Sequence, residues 1–195
     1  MREMVLASAN KDKLKELKKL INHGEIVAIG EIIPGWDVEE TGLTLEANAL
    51  LKARAAAEAT KKTAIADDTG LFVWALGDAP GVYTARYAGE KCSYRDNTEK
   101  LLNALSGERN NNRRASFQTV IALVTPYGEE HVFTGSVEGR ITEDHSGREG
   151  FGYDPVFFST ELNKTFAECT IEEKNRVSHR ARAMQKLNEF LRNCS

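Results

Sequence analysis

Two hydrophobic rhythms alternate along this chain, and the alternation restricts its fold more than any other feature of the sequence. Residues 3 to 8 (EMVLAS) form a short strand-like run, after which Leu14, Leu17, Leu20 and Ile21 recur at helical spacing until His23 and Gly24 end the pattern. Thr44 is placed to cap a second helix with Glu46 in its first turn, and the Ala- and Leu-rich run from Ala47 to Ala59 has strong helix propensity. Thr63 to Ala66 reads as a brief strand ending at Asp67 and Asp68, and the glycines and proline of GDAPGVY mark a loop. A further helix runs from a Ser93 cap, with Asp96 three residues on, to a stop near Gly107. The β-branched and aromatic run ASFQTVIALVT, the turn at Pro126, Tyr127 and Gly128, and the strand-like stretch from Glu130 to Val137 make a β-hairpin. Asp144 to Pro155 is a Gly-rich loop, and from about Ser178 the chain is helical with Met184, Leu187 and Leu191 on one face. Helices and strands interleaved in this way, with at least one antiparallel pair, require a mixed α/β sheet.

No repeat, low-complexity tract or Pro/Ser-rich linker divides the 195 residues, so one domain spanning 1–195 is expected. A hydrophobic content of 41% with 15 glycines is ordinary for a globular chain, which can build its core without a metal or a covalent staple. Cys92, Cys169 and Cys194 are odd in number and contain no CxxC pair, which excludes a disulfide framework and a zinc knuckle and suits a reducing cytosol. No run approaches the ~18 apolar residues of a membrane span, and Glu3 precedes any hydrophobic run of signal-peptide length, so a cytoplasmic protein is expected. The net charge of -3 conceals basic ends, +3 over residues 1–20 and +3 over 172–195, flanking a middle of -9. With a pI near 5.9 this is not the surface of a general nucleic-acid binder, but it suits a site that needs both cations and carboxylates.

Four stretches could carry chemistry. In Ser8-Ala9-Asn10-Lys11-Asp12-Lys13 a strand meets a helix start, where backbone N–H groups and the helix dipole favour a phosphate and Lys13 adds a full charge. Taken alone, the residues fit a capped surface helix with solvated lysines better. Glu39-Glu40 and Asp67-Asp68 offer oxygen ligands for magnesium or a base for water; Asp67-Asp68 fit an ordinary capped turn as well, and Glu39-Glu40 taken alone read better as exposed acids. The Phe151 and Tyr153 rings of GFGYDP can stack on a base while Asp154 accepts hydrogen bonds, or can simply pin a loop. Lys174, His179 and Arg180 lie close in sequence, the last two in the first turn of a helix, where the dipole disfavours cations. That placement suits an anionic or carbonyl-bearing ligand or, failing one, a solvated basic helix end.

The order and wording of six stretches, VLASANKDKLKEL, ETGLTLEANALLKARAAA, AIADDTGL, APGVYTARYAG, EGFGYDPVF and EKNRVSHRARA, strongly resemble the inosine triphosphate pyrophosphatase family and span nearly the whole chain. The resemblance implies an elongated mixed β-sheet flanked by helices, with two lobes, a central nucleotide-binding cleft and homodimeric assembly. It implies Mg²⁺-dependent hydrolysis of ITP, dITP and XTP to the monophosphate and pyrophosphate by attack of water on the α-phosphorus. In residue terms it assigns Ser8 to Lys13 and Lys52 to the triphosphate. It makes Asp68 the proton acceptor and a metal acid, with Glu40 the second metal acid and Asp67 in support. Thr69 stands where the bacterial pattern usually has Ser. Phe151, Gly152, Tyr153, Asp154, Lys174, His179 and Arg180 match the nucleobase pocket, with Arg180 expected to donate to the purine 6-oxo group. The turn opens Ser-Ala-Asn where many relatives have Thr-Gly-Asn or Thr-Thr-Asn. Two other readings are a pyrophosphatase for modified pyrimidine nucleotides and a nucleotide- or RNA-binding module without catalysis; the acidic middle and the Asp67-Asp68 pair oppose the second.

Overall fold

The computed structural model describes residues 3–109 and 112–194. It opens with a strand-helix-strand unit: β1 (Glu3–Leu6), α1 (Lys11–Leu20) and β2 (Glu25–Ala28), the two strands parallel with Glu3 opposite Glu25 and Leu6 opposite Ala28. Asn10 starts α1, its Oδ1 accepting from the N–H of Asp12 at 2.9 Å and of Lys13 at 3.1 Å, which satisfies donors that a helix start leaves unpaired. A single turn, α2 (Ile29–Ile32), precedes α3 (Leu45–Thr60), capped by Thr44 through the Ala47 N–H as its sequence requires. Next comes β3 (Ala64–Val73), which runs parallel to β1 through the pair Leu6 and Ile65 and carries the short antiparallel β4 (Pro80–Gly81) on its far end.

The helix expected after Ser93 is α4 (Tyr94–Ala104), closed by a reciprocal Ser93 and Asp96 capping box. The expected hairpin is β5 (Arg114–Val124) and β6 (Glu130–Ile141), neighbours in the sheet joined by a tight turn in which the Gly128 N–H donates to Thr125 O. Two short strands, β7 (Phe157–Ser159) and β8 (Lys164–Thr165), extend the sheet antiparallel to β6, and α5 (Ile171–Val177) and α6 (His179–Asn193) complete the chain. The sheet order is β2-β1-β3-β5-β6-β7-β8, with β4 paired to β3: a mixed α/β sheet, as the alternation of patterns demands.

The chain divides into two compact units, each with its own core. The first comprises Met1–Asp68, Thr119–Gly135 and Arg180–Ser195, and buries Met4, Leu17, Ile65, Ile121, Met184 and Leu187 together. The second comprises Thr69–Gln118 and Ser136–His179 around Leu101, Leu105, Phe117, Tyr153, Phe157 and Phe166. Met184, Leu187 and Leu191 on one face of α6 therefore do what their spacing requires. No helix among the described residues is long and apolar enough to cross a membrane.

The strand expected to stop at Asp67 and Asp68 instead runs ten residues, through both aspartates and on to Val73. Acidic residues read as a strand end when solvent is assumed to receive them. Here they are buried, because the fold supplies cations. The helix α5 also lacks an apolar stripe long enough to read; its signal is Thr170 followed three residues later by Glu173, which form a capping box. Within α4, core packing outweighs capping: Leu101→Ala should cost about 2–5 kcal/mol, against about 1 kcal/mol for Ser93→Ala, in urea denaturation. Equal losses would mean that Leu101 is not the core residue its full burial implies.

Candidate active site

Strand β1 stops at Leu6 while β3 continues. The Ala7 N–H still donates to Ile65 O at 2.8 Å, and the chain then turns through Ser8 into α1. Asp67 and Asp68 consequently stand just beyond the carboxyl end of β1, the position where open parallel sheets build their sites. Successive strand residues face opposite sides, so the two carboxylates meet different partners. Asp67 Oδ2 lies 3.2 Å from Lys13 Nζ, in the first turn of α1, and 3.2 Å from an η nitrogen of Arg180, in the first turn of α6. Arg180 in turn donates to Glu16 at 2.5 Å. Asp68 Oδ1 lies 3.4 Å from Lys52 Nζ on α3, and Asp68 Oδ2 accepts from Asn48 Nδ2 at 3.3 Å. Lys52 Nζ also donates to Glu40 at 2.6 Å and to the carbonyl of Asp67 at 2.9 Å. All of these residues belong to the first unit.

Burial governs the electrostatics of the cluster. For Asp67 it would raise the pKa, but Lys13, Arg180 and Lys52 overcome it and hold the carboxyl far below the usual range. For Asp68 burial wins: its pKa is raised, Lys52 and Lys13 opposing and Glu40 and Asp67 adding to the rise. Burial lowers the Lys13 pKa despite Asp67, helped by Lys52 and Arg180, whereas for Lys52 burial is outweighed by Asp68, Glu40 and Asp67 and the pKa rises. One aspartate is a fixed anion inside a cation cage, and its neighbour is the more basic.

The candidate metal donors Glu40 and Asp68 share a single cation, the Lys52 ammonium, so the fold brings these two carboxylates to one place. Among the described residues no group of three or more His, Cys, Asp and Glu could hold a metal. Two hard oxygen donors nevertheless fit Mg²⁺, which usually keeps water and takes substrate phosphate oxygens for its other positions.

A second constellation lies within the second unit. Asp154, which is buried, accepts from the Phe151 N–H at 2.9 Å and from Lys174 Nζ at 2.6 Å through the same Oδ2, and Lys174 stands 5.1 Å from the centre of the Phe151 ring and 5.6 Å from that of Phe166. Gly150 makes this possible: its φ is +76°, and a Cβ there would sit 2.0 Å from Asp154 Oδ2. Tyr153 is buried with its hydroxyl donating to Thr84 O at 2.9 Å, and burial pushes its pKa above the usual range. His179 stacks on Phe117 with ring centres 4.5 Å apart.

The expected residues thus fall into two sets. Lys13, Glu40, Lys52, Asp67, Asp68 and Arg180 are brought together in the first unit; Phe151, Tyr153, Asp154, Lys174 and His179 lie in the second, as do Gly152 and Thr69 at the start of its first segment. Lys11 and Ala9 are exposed, while Ser8 and Asn10 shape the turn itself, Ser8 Oγ accepting from the Asn10 N–H at 3.2 Å. Lys13 is not a solvated surface lysine, and Asp67-Asp68 is not a turn. Arg180 donates to Asp67 and Glu16, so the protein itself supplies anions that offset a cation at the start of α6. Sequence reasoning missed Glu16 and Asn48. Glu16 follows Lys13 by three residues, hence on the same helix face, which was a usable signal. Asn48 gave none beyond being a polar residue inside an Ala-rich helix.

Residues 4–190 match the model of the Ham1 family. A Staphylococcus aureus protein named dITP/XTP pyrophosphatase is 48% identical over 191 residues, covering 98% of this chain and 97% of that one. The solved structure of the Staphylococcus aureus Ham1 protein covers all of both chains at 46% identity with a TM-score of 0.89. A HAM1 protein from Coxiella burnetii matches at 40% identity with a TM-score of 0.89, covering 99% of this chain and all of that one. A Mycobacterium abscessus nucleoside-triphosphatase / dITP/XTP pyrophosphatase structure matches at 42% and 0.77, covering 95% of this chain and 98% of that one. With the family's sequence pattern and fold both running through almost its full length, this chain belongs to the Ham1 family.

Proposed function

We propose that this protein hydrolyses ITP, dITP and XTP to the nucleoside monophosphate and pyrophosphate, removing non-standard purines from the nucleotide pool. The observation that carries the reading is the buried cluster in which Lys13, Lys52, Asp67, Asp68 and Glu40 converge at the start of α1, alongside relatives named for this activity. The turn from Ser8 through Lys13 takes the triphosphate: backbone N–H groups at the start of α1 meet anionic oxygens, and Lys13 and Lys52 set positive charge where pyrophosphate departs. With its Oδ1 committed to the cap, Asn10 meets a phosphate through its Nδ2 donor. Water attacks the α-phosphorus in line with the departing pyrophosphate, and an oxygen of Asp68 accepts its proton. Glu40 and Asp68 would hold a Mg²⁺ ion, whose charge stabilises phosphate oxygens and acidifies water when bound. Asp67, caged by Lys13 and Arg180, keeps both cations in place.

The base is assigned to Phe151, Gly152, Tyr153, Asp154, Lys174 and His179. Hypoxanthine and xanthine carry a carbonyl at the purine 6-position where adenine carries an amino group, so a donor that meets the carbonyl is left unpaired by ATP. Lys174, in the same unit as the aromatic residues, takes that donor role in preference to Arg180. A site that hydrogen-bonds one group can reject its absence by ~10⁴-fold. We further propose a cytoplasmic homodimer, which sedimentation and fractionation of the native source would test.

With Mg²⁺, purified protein should convert dITP, ITP and XTP far faster than dATP, dTTP or UTP, with the monophosphate and pyrophosphate identified by phosphorus NMR. Orthophosphate and a diphosphate as products would overturn the mechanism, and preference for dTTP or UTP would favour the pyrimidine reading. Asp68→Asn should lower kcat by ~10³-fold, since general-base catalysis and a metal donor are both lost. Tight dITP binding without turnover by the unaltered protein would instead indicate a binding module. Arg180→Met should lower stability by about 3 kcal/mol, because it removes a buried partner of Asp67, and should leave the dITP to dATP ratio unchanged. Loss of that ratio at an unchanged melting midpoint would return Arg180 to base reading.

A further inference from the structure

Asn48 is a polar residue in the buried face of α3, 1% exposed, and both ends of its amide are in use. Its Oδ1 accepts from the Gly42 N–H at 2.8 Å, and its Nδ2 donates to Asp68 Oδ2 at 3.3 Å. The orientation follows from chemistry alone, because the Gly42 N–H can only donate, so the amide oxygen must face it and the NH₂ must face the carboxylate. Gly42 follows Glu40 by two residues in sequence. One side chain therefore ties the turn that carries Glu40 to the carboxylate of Asp68. A Cβ at Gly42 would lie 2.5 Å from Asn48 Oδ1 and 2.9 Å from the backbone nitrogen of Asn48, so the approach leaves no room for another residue.

Resting on the function proposed above, we infer that Asn48 is a positioning residue: it holds Asp68 by Oδ2, leaving Oδ1 turned toward Lys52 and Glu40, and sets the separation of the two carboxylates. Asp68 carries only two oxygens, and a base that also serves a cation needs them differentiated. Lys52 alone cannot do this, since an ammonium on a flexible stem is a point charge without directional preference. The planar amide, fixed at its other end by Gly42, supplies the direction. Outer partners of metal-binding and catalytic side chains typically contribute 10- to 100-fold to affinity or rate.

Two variants separate the arms. Asn48→Ala removes both bonds and favours the helix; Asn48→Asp keeps the shape and the acceptor for Gly42 but turns the donor toward Asp68 into an acceptor. Both should lower kcat for dITP by ~30-fold with KM within ~3-fold of the unaltered protein, and Asn48→Ala should weaken Mn²⁺ binding to nucleotide-free protein, followed by electron paramagnetic resonance, by ~10-fold. Either variant with an unaltered kcat overturns the inference, as does a fall in activity matched by a fall in folded fraction. Should Asn48→Asp not fold, Asn48→Ala with its two readouts decides. Failure of the unaltered protein to release pyrophosphate from dITP would sink the functional reading instead, and the Mn²⁺ titration, which needs no turnover, would still test the geometry.

Discussion

Two carboxylates on adjacent residues of a buried strand cannot exist without cations, and meeting that demand organises the first unit. Taking an ion out of water costs several kcal/mol even after relaxation, and Asp67 and Asp68 are both buried. The three cations that offset them come from three helices: Lys13 from the first turn of α1, Lys52 from the middle of α3 and Arg180 from the first turn of α6. Folding this unit and assembling its site are therefore one event. If α1, α3 or α6 docked wrongly, a buried aspartate would lose a partner, so the charges specify the arrangement while the apolar core drives collapse.

The sum of those charges bears on function. Glu16, Glu40, Asp67 and Asp68 stand against Lys13, Lys52 and Arg180, which leaves the cluster with one excess negative charge before any ligand is present. A divalent cation turns that excess into a single positive charge, which favours the anionic triphosphate, and the triphosphate in turn favours the cation. The burial that lowers the Lys13 pKa works in the same direction, because a poorly hydrated ammonium loses little water on meeting phosphate.

Residue type and period carry much of this fold. The 3.6-residue spacing of Leu14, Leu17 and Leu20, the Thr44 and Ser93 caps and the β-branched run from Ala115 are local signals, and α1, α3, α4 and the β5–β6 hairpin answer them. The continuation of β3 through Asp67 and Asp68 was not local. A strand carrying two acids is stable only because Lys13, Lys52 and Arg180 arrive from distant parts of the sequence, and no window around residue 67 contains them. The same reason hid the partners of Arg180. Its neighbours in sequence suggested a ligand at a helix start, but its counter-ion, Asp67, lies 113 residues away. Asn48 was invisible for a different reason, since an amide inside a helix gains its role only from the orientation that Gly42 imposes.

The two constellations solve opposite problems with similar parts. In the second unit a single carboxylate oxygen, Asp154 Oδ2, serves one ammonium and one backbone N–H, so the Asp154–Lys174 pair is neutral, and the cation rests against aromatic rings that tolerate it through their negative faces. A purine base is uncharged and planar. It gains from stacking and from one directed donor, and a net charge would only impose a desolvation cost. The triphosphate is the reverse, highly charged and without an aromatic face. Under the proposed function the base takes the neutral aromatic setting and the triphosphate takes the cations of the first unit; a ligand of uniform character such as a nucleic-acid backbone would instead be met by a continuous basic surface.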